Sequence, residues 1–210
     1  MASLPSYDMP SVPCPNRVHW QPDPNRAVLL VHDMQEYFLR KFDMSCAPVP
    51  SLLHNAAQLL DAFRTAGAPV IYTAQPTEQP AHDRALLNDF WGPGLTDPNV
   101  HTQQGIVDAL RPRPDDIVLT KWRYSAFQRS DLAERLQALG RDQLVVCGVY
   151  AHIGCLATCL EAFMRDIQAF LVADAVADFS REEHAMALRY VATRCGASLS
   201  TQAVMQAMTR

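Results

Sequence analysis

Residues 143–155 read QLVVCGVYAHIGC. After Gln143 come four apolar residues, two of them β-branched, the composition of a strand buried on both faces. Gly148 opens a loop, and CLATCLEAFMRD (155–166) then carries apolar residues at helical spacing. A buried strand, a glycine-flanked loop and a helix make half of a parallel β–α unit. Such loops are places where α/β enzymes put a nucleophile, so the role of Cys155 is the first chemical question.

The same alternation extends in both directions. Upstream, AVLLVHD (27–33) is a buried strand, and SLLHNAAQLLDAFRTAG (51–67) is a helix with Ser51 as N-cap and Gly67 as stop. PVIYTAQ (69–75) and DDIVLTK (115–121) read as strands, and SDLAERLQALG (130–140) as a helix between Ser130 and Gly140. Downstream, QAFLVADA (168–175) is a strand and SREEHAMALRYVATRC (180–195) a helix opening with an S-x-x-E capping box. A short strand, ASLS, and a helix from Thr201 follow. This order predicts an α/β fold: a Rossmann-like three-layer sandwich with a mostly parallel six-stranded sheet and helices on both faces. Residues 26–210 form one domain, preceded by an N-terminal arm, 1–25. Residues 76–104 are a Pro-rich excursion with a short helix near 82–90, a segment suited to a lid or a subunit contact.

Composition narrows the function. The 210 residues are 49% hydrophobic and 19% charged, the balance of a soluble globular domain. A formal net charge of −4, a pI near 5.9 and no basic cluster argue against nucleic acid or an anionic membrane as partner. The amino terminus has no signal-peptide h-region, and no apolar run approaches the roughly 20 residues that span a bilayer. The six cysteines show no paired C-x-x-C spacing, so reduced thiols and a cytoplasmic location are expected. No H-E-x-x-H and no Cys/His ladder is present, and neither metal nor cofactor is expected.

In open α/β sheets ligands bind at the carboxyl ends of the strands. Asp33, Lys121 and the 148–155 loop stand there. Taken singly, Asp33 reads equally well as a helix N-cap and Lys121 as solvated surface. Together, LLVHDMQEYF, YTAQP, DFWGPG, TKWRYSAF, GVYAHIGC and VADAVADFS resemble the isochorismatase-like hydrolase family. That family includes nicotinamidases and N-carbamoyl amidohydrolases, which use an Asp–Lys–Cys triad at these strand ends. The motifs are most similar to the narrower branch that cleaves isochorismate or, in the phenazine pathway, 2-amino-2-deoxyisochorismate.

The resemblance places the nucleophile's position at Gly154, one residue before Cys155. On a helix, one residue is a rotation of about 100°, which turns Cys155 away from the pocket. Hydrolysis of a vinyl ether requires no acyl-enzyme; it requires a positioned acid, and Asp33 is the candidate. Burial and a substrate carboxylate would raise its pKa and Lys121 would lower it; Lys121 is expected chiefly to bind the substrate's carboxylate. The resemblance further implies Gln75 and Arg84 as carboxylate ligands, Tyr150 and Gly154 as substrate contacts, and a cis peptide at Val149–Tyr150. Trp91 and Phe38 are candidate pocket walls, and His32 and His152 are read as structural. The implied partners are the small-molecule substrate, a second copy in a homodimer, and a separate aryl carrier protein in place of a fused carrier domain. A cysteine amidohydrolase using Cys155 and a non-catalytic carrier-protein partner stay open as alternatives.

Overall fold

The computed structural model describes residues 3–12 and 14–209. Six strands form one sheet: β1 (Ala27–His32), β2 (Val70–Ala74), β3 (Ile117–Thr120), β4 (Gln143–Val149), β5 (Gln168–Ala177) and β6 (Gly196–Leu199). Their order is β3-β2-β1-β4-β5-β6, and every neighbouring pair is parallel. The helices in chain order are α1 (Glu36–Leu39), α2 (Val49–Thr65), α3 (Ala81–Arg84), α4 (Leu87–Trp91), α5 (Leu132–Ala138), α6 (Leu156–Met164), α7 (Arg181–Tyr190) and α8 (Thr201–Met208).

Successive residues of a strand face opposite sides of the sheet. Leu29, Val31, Val145, Cys147 and Phe170 therefore pack with Leu52, Leu59 and Phe63 of α2 and Val204 of α8. Val28, Leu30, Leu144, Val146 and Leu171 pack on the other side with α5, α6 and α7. Both faces are covered, which is why β1 and β4 are apolar without alternation. From the centre, the chain proceeds outward to β2 and β3 on one side and to β4, β5 and β6 on the other. The crevice at the carboxyl ends of β1 and β4 is thus the switch point where such sheets bind ligands.

Local boundaries differ from the sequence reading where proline or an unusual φ intervenes. Helix α2 starts at Val49 rather than after Ser51, with Pro50 in its first turn, where a missing N–H is harmless. The helix expected near 82–90 is two short ones, α3 and α4, because Ala85 takes φ +48. Helix α7 ends at Tyr190 and continues to Cys195 as a wide turn; Ser180 caps it by accepting from the Glu183 N–H at 3.2 Å. Among the described residues, no helix is long and apolar enough to cross a membrane.

Candidate active site

Asp33 follows β1 with φ +49, a left-handed conformation that aspartate tolerates better than most residues. Its carboxylate is held from several sides. The Lys121 ammonium donates to Oδ2 at 3.0 Å, and the Thr73 hydroxyl donates to Oδ1 at 2.5 Å while accepting from the Asp33 N–H at 3.1 Å. Nδ1 of His32 lies 3.7 Å from Oδ2. Asp33 and Lys121 are 5% and 4% exposed, so this pair is shielded from solvent. Burial alone would raise the pKa of Asp33; the Lys121 ammonium, with His32 and the Thr73 hydroxyl, overcomes that and holds it below the ordinary carboxylate value. The carboxylate is therefore ionised at neutral pH. Lys121, expected from the sequence to bind the substrate's carboxylate, lines the cavity, and its buried side chain reaches from the end of β3 to pair with Asp33.

The loop after β4 explains why no nucleophile is presented. Gly148 has φ +115, and a Cβ there would lie 2.1 Å from the His32 carbonyl oxygen. The Val149–Tyr150 peptide is cis. Nδ1 of His32 donates to the Val149 carbonyl at 2.8 Å, and burial pushes the ring's pKa down to about 4, so the imidazole is neutral. Its Nε2 is buried without a hydrogen-bond partner among the described residues. Residues Ala151–Cys155 form a wide turn, closed by the Cys155 N–H on the Tyr150 carbonyl at 3.3 Å. At Gly154 a Cβ would stand 2.2 Å from Cε1 of His32. No side chain fits there while His32 keeps its place. Cys155 is fully buried beside Ala151, Cys159 and Ala162, outside the pocket lining, and burial pushes its thiol well above the ordinary value.

His152 anchors this turn from outside. Its N–H donates to Oδ2 of Asp178 and its Nδ1 to Oδ1, both at 2.6 Å, and the Asp178 hydrogen bond raises the imidazole's pKa. His152, Asp178 and Glu183 bring one ligand atom each within 4.8 Å of one another. The two Asp178 oxygens are already engaged by N–H donors of His152 and Phe179.

Above the crevice is a cavity of about 270 Å³ whose lining includes Asp33, Lys121, His32 and Gly154. Gln75 enters from the end of β2. Its backbone N–H and C=O are both taken by the Gln35 side chain, at 2.7 and 3.0 Å, which fixes where it stands. The excursion contributes Arg84, Leu87 and Trp91. Arg84 is 4% exposed; its Nε donates to the Gly92 carbonyl at 2.8 Å, and its guanidinium lies so close to Gly94 that a Cβ there would sit 2.6 Å from Nη2. Among the described residues it forms no ion pair with a carboxylate. A buried cation without an anion is costly, and a carboxylate in the cavity would relieve it. Phe38 and Tyr150 complete an aromatic wall: the Tyr150 hydroxyl donates to the Phe38 carbonyl at 3.0 Å, and its ring meets Phe179 edge to face, 4.6 Å between centroids. Trp91 closes the wall, its Nε1 donating to the Tyr124 hydroxyl at 2.8 Å. Thr73, Gln35 and Phe179 were not singled out in the sequence, although each lies within or beside a motif that was.

Comparison with known proteins agrees with this geometry. A family model described as the isochorismatase domain matches residues 27–203. The chain is 54% identical over 198 residues to an isochorismatase of Bacillus subtilis (strain 168), covering 94% of this chain and 62% of the relative's length. It is 51% identical over 205 residues to the phenazine biosynthesis protein PhzD of Pseudomonas fluorescens, covering 95% and 93%. A cysteine hydrolase from Pseudomonas syringae pv. phaseolicola superposes with a TM-score of 0.79 at 24% identity, over 93% of this chain and 98% of that one, a likeness of fold. With the family model spanning the whole sheet and half the residues shared with such relatives, the chain belongs to the isochorismatase family.

Proposed function

We propose that this protein hydrolyses the enolpyruvyl ether of isochorismate, releasing pyruvate and 2,3-dihydro-2,3-dihydroxybenzoate. One observation carries the reading: a buried Asp33–Lys121 pair and an anion-seeking Arg84 line a cavity in which Gly154 leaves no room for a nucleophile. Such a site suits proton transfer to a bound dianion and does not suit acyl transfer.

Arg84 and Gln75 receive the substrate's carboxylates, a planar guanidinium being suited to two-point contact. Bringing negative charge beside the Asp33–Lys121 pair raises the Asp33 pKa, so binding draws in a proton. Asp33 then gives that proton to the terminal methylene carbon; the C=C electron pair forms the C–H bond, and the ether oxygen stabilises the cation left on its neighbour. Lys121 stabilises the carboxylate that Asp33 becomes. Water adds to the cation and returns one proton to the Asp33 carboxylate; the hemiketal's hydroxyl proton then passes to the ring oxygen as its C–O bond breaks, giving pyruvate and the diol.

The second reading is the same reaction on 2-amino-2-deoxyisochorismate, favoured by the phenazine biosynthesis relative spanned over 93% of its length. The vinyl ether is common to both substrates, so the roles above are unchanged. The six unpaired cysteines suit the cytoplasm. Leu86 and Phe90, 74% and 76% exposed on the excursion, are where self-association as a dimer is proposed. A separate aryl carrier protein is the proposed partner for the product's later use. The test is to mix pure protein with isochorismate and follow pyruvate through coupled reduction to lactate. Wild type should release it and Asp33→Asn should lose at least about 10²-fold in kcat; no pyruvate from wild type would end the reading.

A further inference from the structure

The matched family model begins at residue 27, yet the arm before it runs the height of the sheet. At the amino ends of the strands, Gln143 holds it: Nε2 donates to the Gln21 carbonyl at 3.0 Å and Oε1 accepts from the Asp23 N–H at 2.8 Å. Beside β6, an edge strand, the Asn16 amide bonds both backbone groups of Ser198, at 2.9 and 2.7 Å. At the carboxyl ends, Tyr7 donates its N–H to the Ala47 carbonyl and Leu4 to the Lys41 carbonyl, at 3.2 and 2.7 Å. The Leu4 side chain there forms part of the cavity wall.

Tyr7 reaches the support of the 148–155 turn. Its hydroxyl oxygen accepts from the Asp178 N–H at 2.7 Å, and its proton goes to Nδ1 of His184 at 3.1 Å. The direction follows from His184, whose Nε2 donates to the Ala173 carbonyl at 2.9 Å and whose buried ring is neutral, its pKa pushed down to about 4. Asp178 in turn accepts both His152 donors, and Phe179 beside it packs edge to face with Tyr150.

We propose that the amino-terminal arm is a working part of this site: Leu4 is a wall against the substrate, and Tyr7 is a positioning residue that acts through Asp178 on the turn carrying Tyr150 and Gly154. The Leu4 role rests on the isochorismate reading of the cavity; the Tyr7 role does not. Full-length Tyr7→Phe, Leu4→Trp and Asn16→Ala separate site from scaffold. Amide exchange at residues 148–155, read by mass spectrometry well below melting, should quicken at least about fivefold in Tyr7→Phe, the size of one lost buried hydrogen bond. It should stay unchanged in Asn16→Ala, which loosens the same arm far from the cavity. With isochorismate, kcat/KM should fall at least about tenfold in Tyr7→Phe, as a small misplacement can cause. Leu4→Trp should raise KM about tenfold with exchange unaltered, a crowding effect. Unaltered exchange in Tyr7→Phe, or an equal rise in Asn16→Ala, overturns the positioning role whether or not isochorismate is turned over. An unchanged KM in Leu4→Trp with an active wild type overturns the wall, whereas a wild type that releases no pyruvate sinks the isochorismate reading and, with it, the wall.

Discussion

Gly154→Ala should damage both stability and turnover, and its size follows from the surroundings of one methyl group. The added Cβ would lie 2.2 Å from Cε1 and 2.8 Å from Nε2 of His32, where carbon contacts are comfortable at about 3.5–4.0 Å. The ring cannot swing away freely: it is fully buried and its Nδ1 is tied to the Val149 carbonyl at 2.8 Å. Overpacking of this kind costs about 1–3 kcal/mol, and breaking the His32 hydrogen bond adds about 0.5–1.5 kcal/mol. Together they come to about 1.5–4.5 kcal/mol, a fall of about 0.5–1.5 M in the urea midpoint at a slope near 3 kcal/mol/M. Because His32 adjoins Asp33, kcat should fall by at least about tenfold, since displacements of about 1 Å can cost more than that. In a His32→Ala background the colliding atoms are gone, so the same substitution should cost less than about 1 kcal/mol, a coupling that a double-mutant cycle measures directly. A Gly154→Ala protein with wild-type midpoint and turnover would refute the idea that His32 closes this position to side chains.

Other perturbations separate the roles further. Cys155→Ala should keep wild-type kcat, and alkylating Cys155 in the wild type should not be possible without unfolding, because the thiol faces the core; loss of turnover in Cys155→Ala at unchanged stability would restore the covalent reading. Arg84→Ala should raise KM at least about 30-fold, the lower end of the 2–5 kcal/mol lost when one partner of a buried charged hydrogen bond is truncated, and an unchanged KM would remove Arg84 from the substrate. The pH dependence follows from the depressed Asp33 pKa. The acid form becomes scarcer as pH rises, so kcat/KM, which reports the free enzyme, should fall about tenfold per pH unit across neutrality while kcat stays level until the bound complex titrates. The same depression stabilises the fold above the unfolded carboxylate pKa and is lost as pH falls through the folded one. Kinetics flat in both parameters from mild acid to mild base would contradict an ionised Asp33 in the free enzyme.

Much of this arrangement was legible in the sequence because it sits on buried strands. The runs AVLLV (27–31) and LVVC (144–147) are apolar throughout, which marks central parallel strands and locates Asp33 and the Gly148 loop at their carboxyl ends. Thr73 was not legible: a threonine inside a strand looks like any sheet residue until its hydroxyl meets Asp33 across β1 and β2. Gln35 reads as an ordinary polar residue, although its amide ties Gln75 to Gln104. The break at Ala85 has no glycine to announce it. The arm's path depends on pairings such as Asn16 with Ser198, whose sequence separation of 182 leaves no local pattern.

The most direct test of Asp33 as a carbon acid is the fate of the solvent proton. Isochorismate is hydrolysed in D₂O and the pyruvate reduced at once to lactate, before its methyl protons exchange. Protonation of the enol carbon requires one solvent-derived deuterium in the methyl group of wild-type product, formed at a rate that collapses in Asp33→Asn. Lactate carrying no deuterium in that methyl group, or the same rate of labelled product from Asp33→Asn, would contradict it.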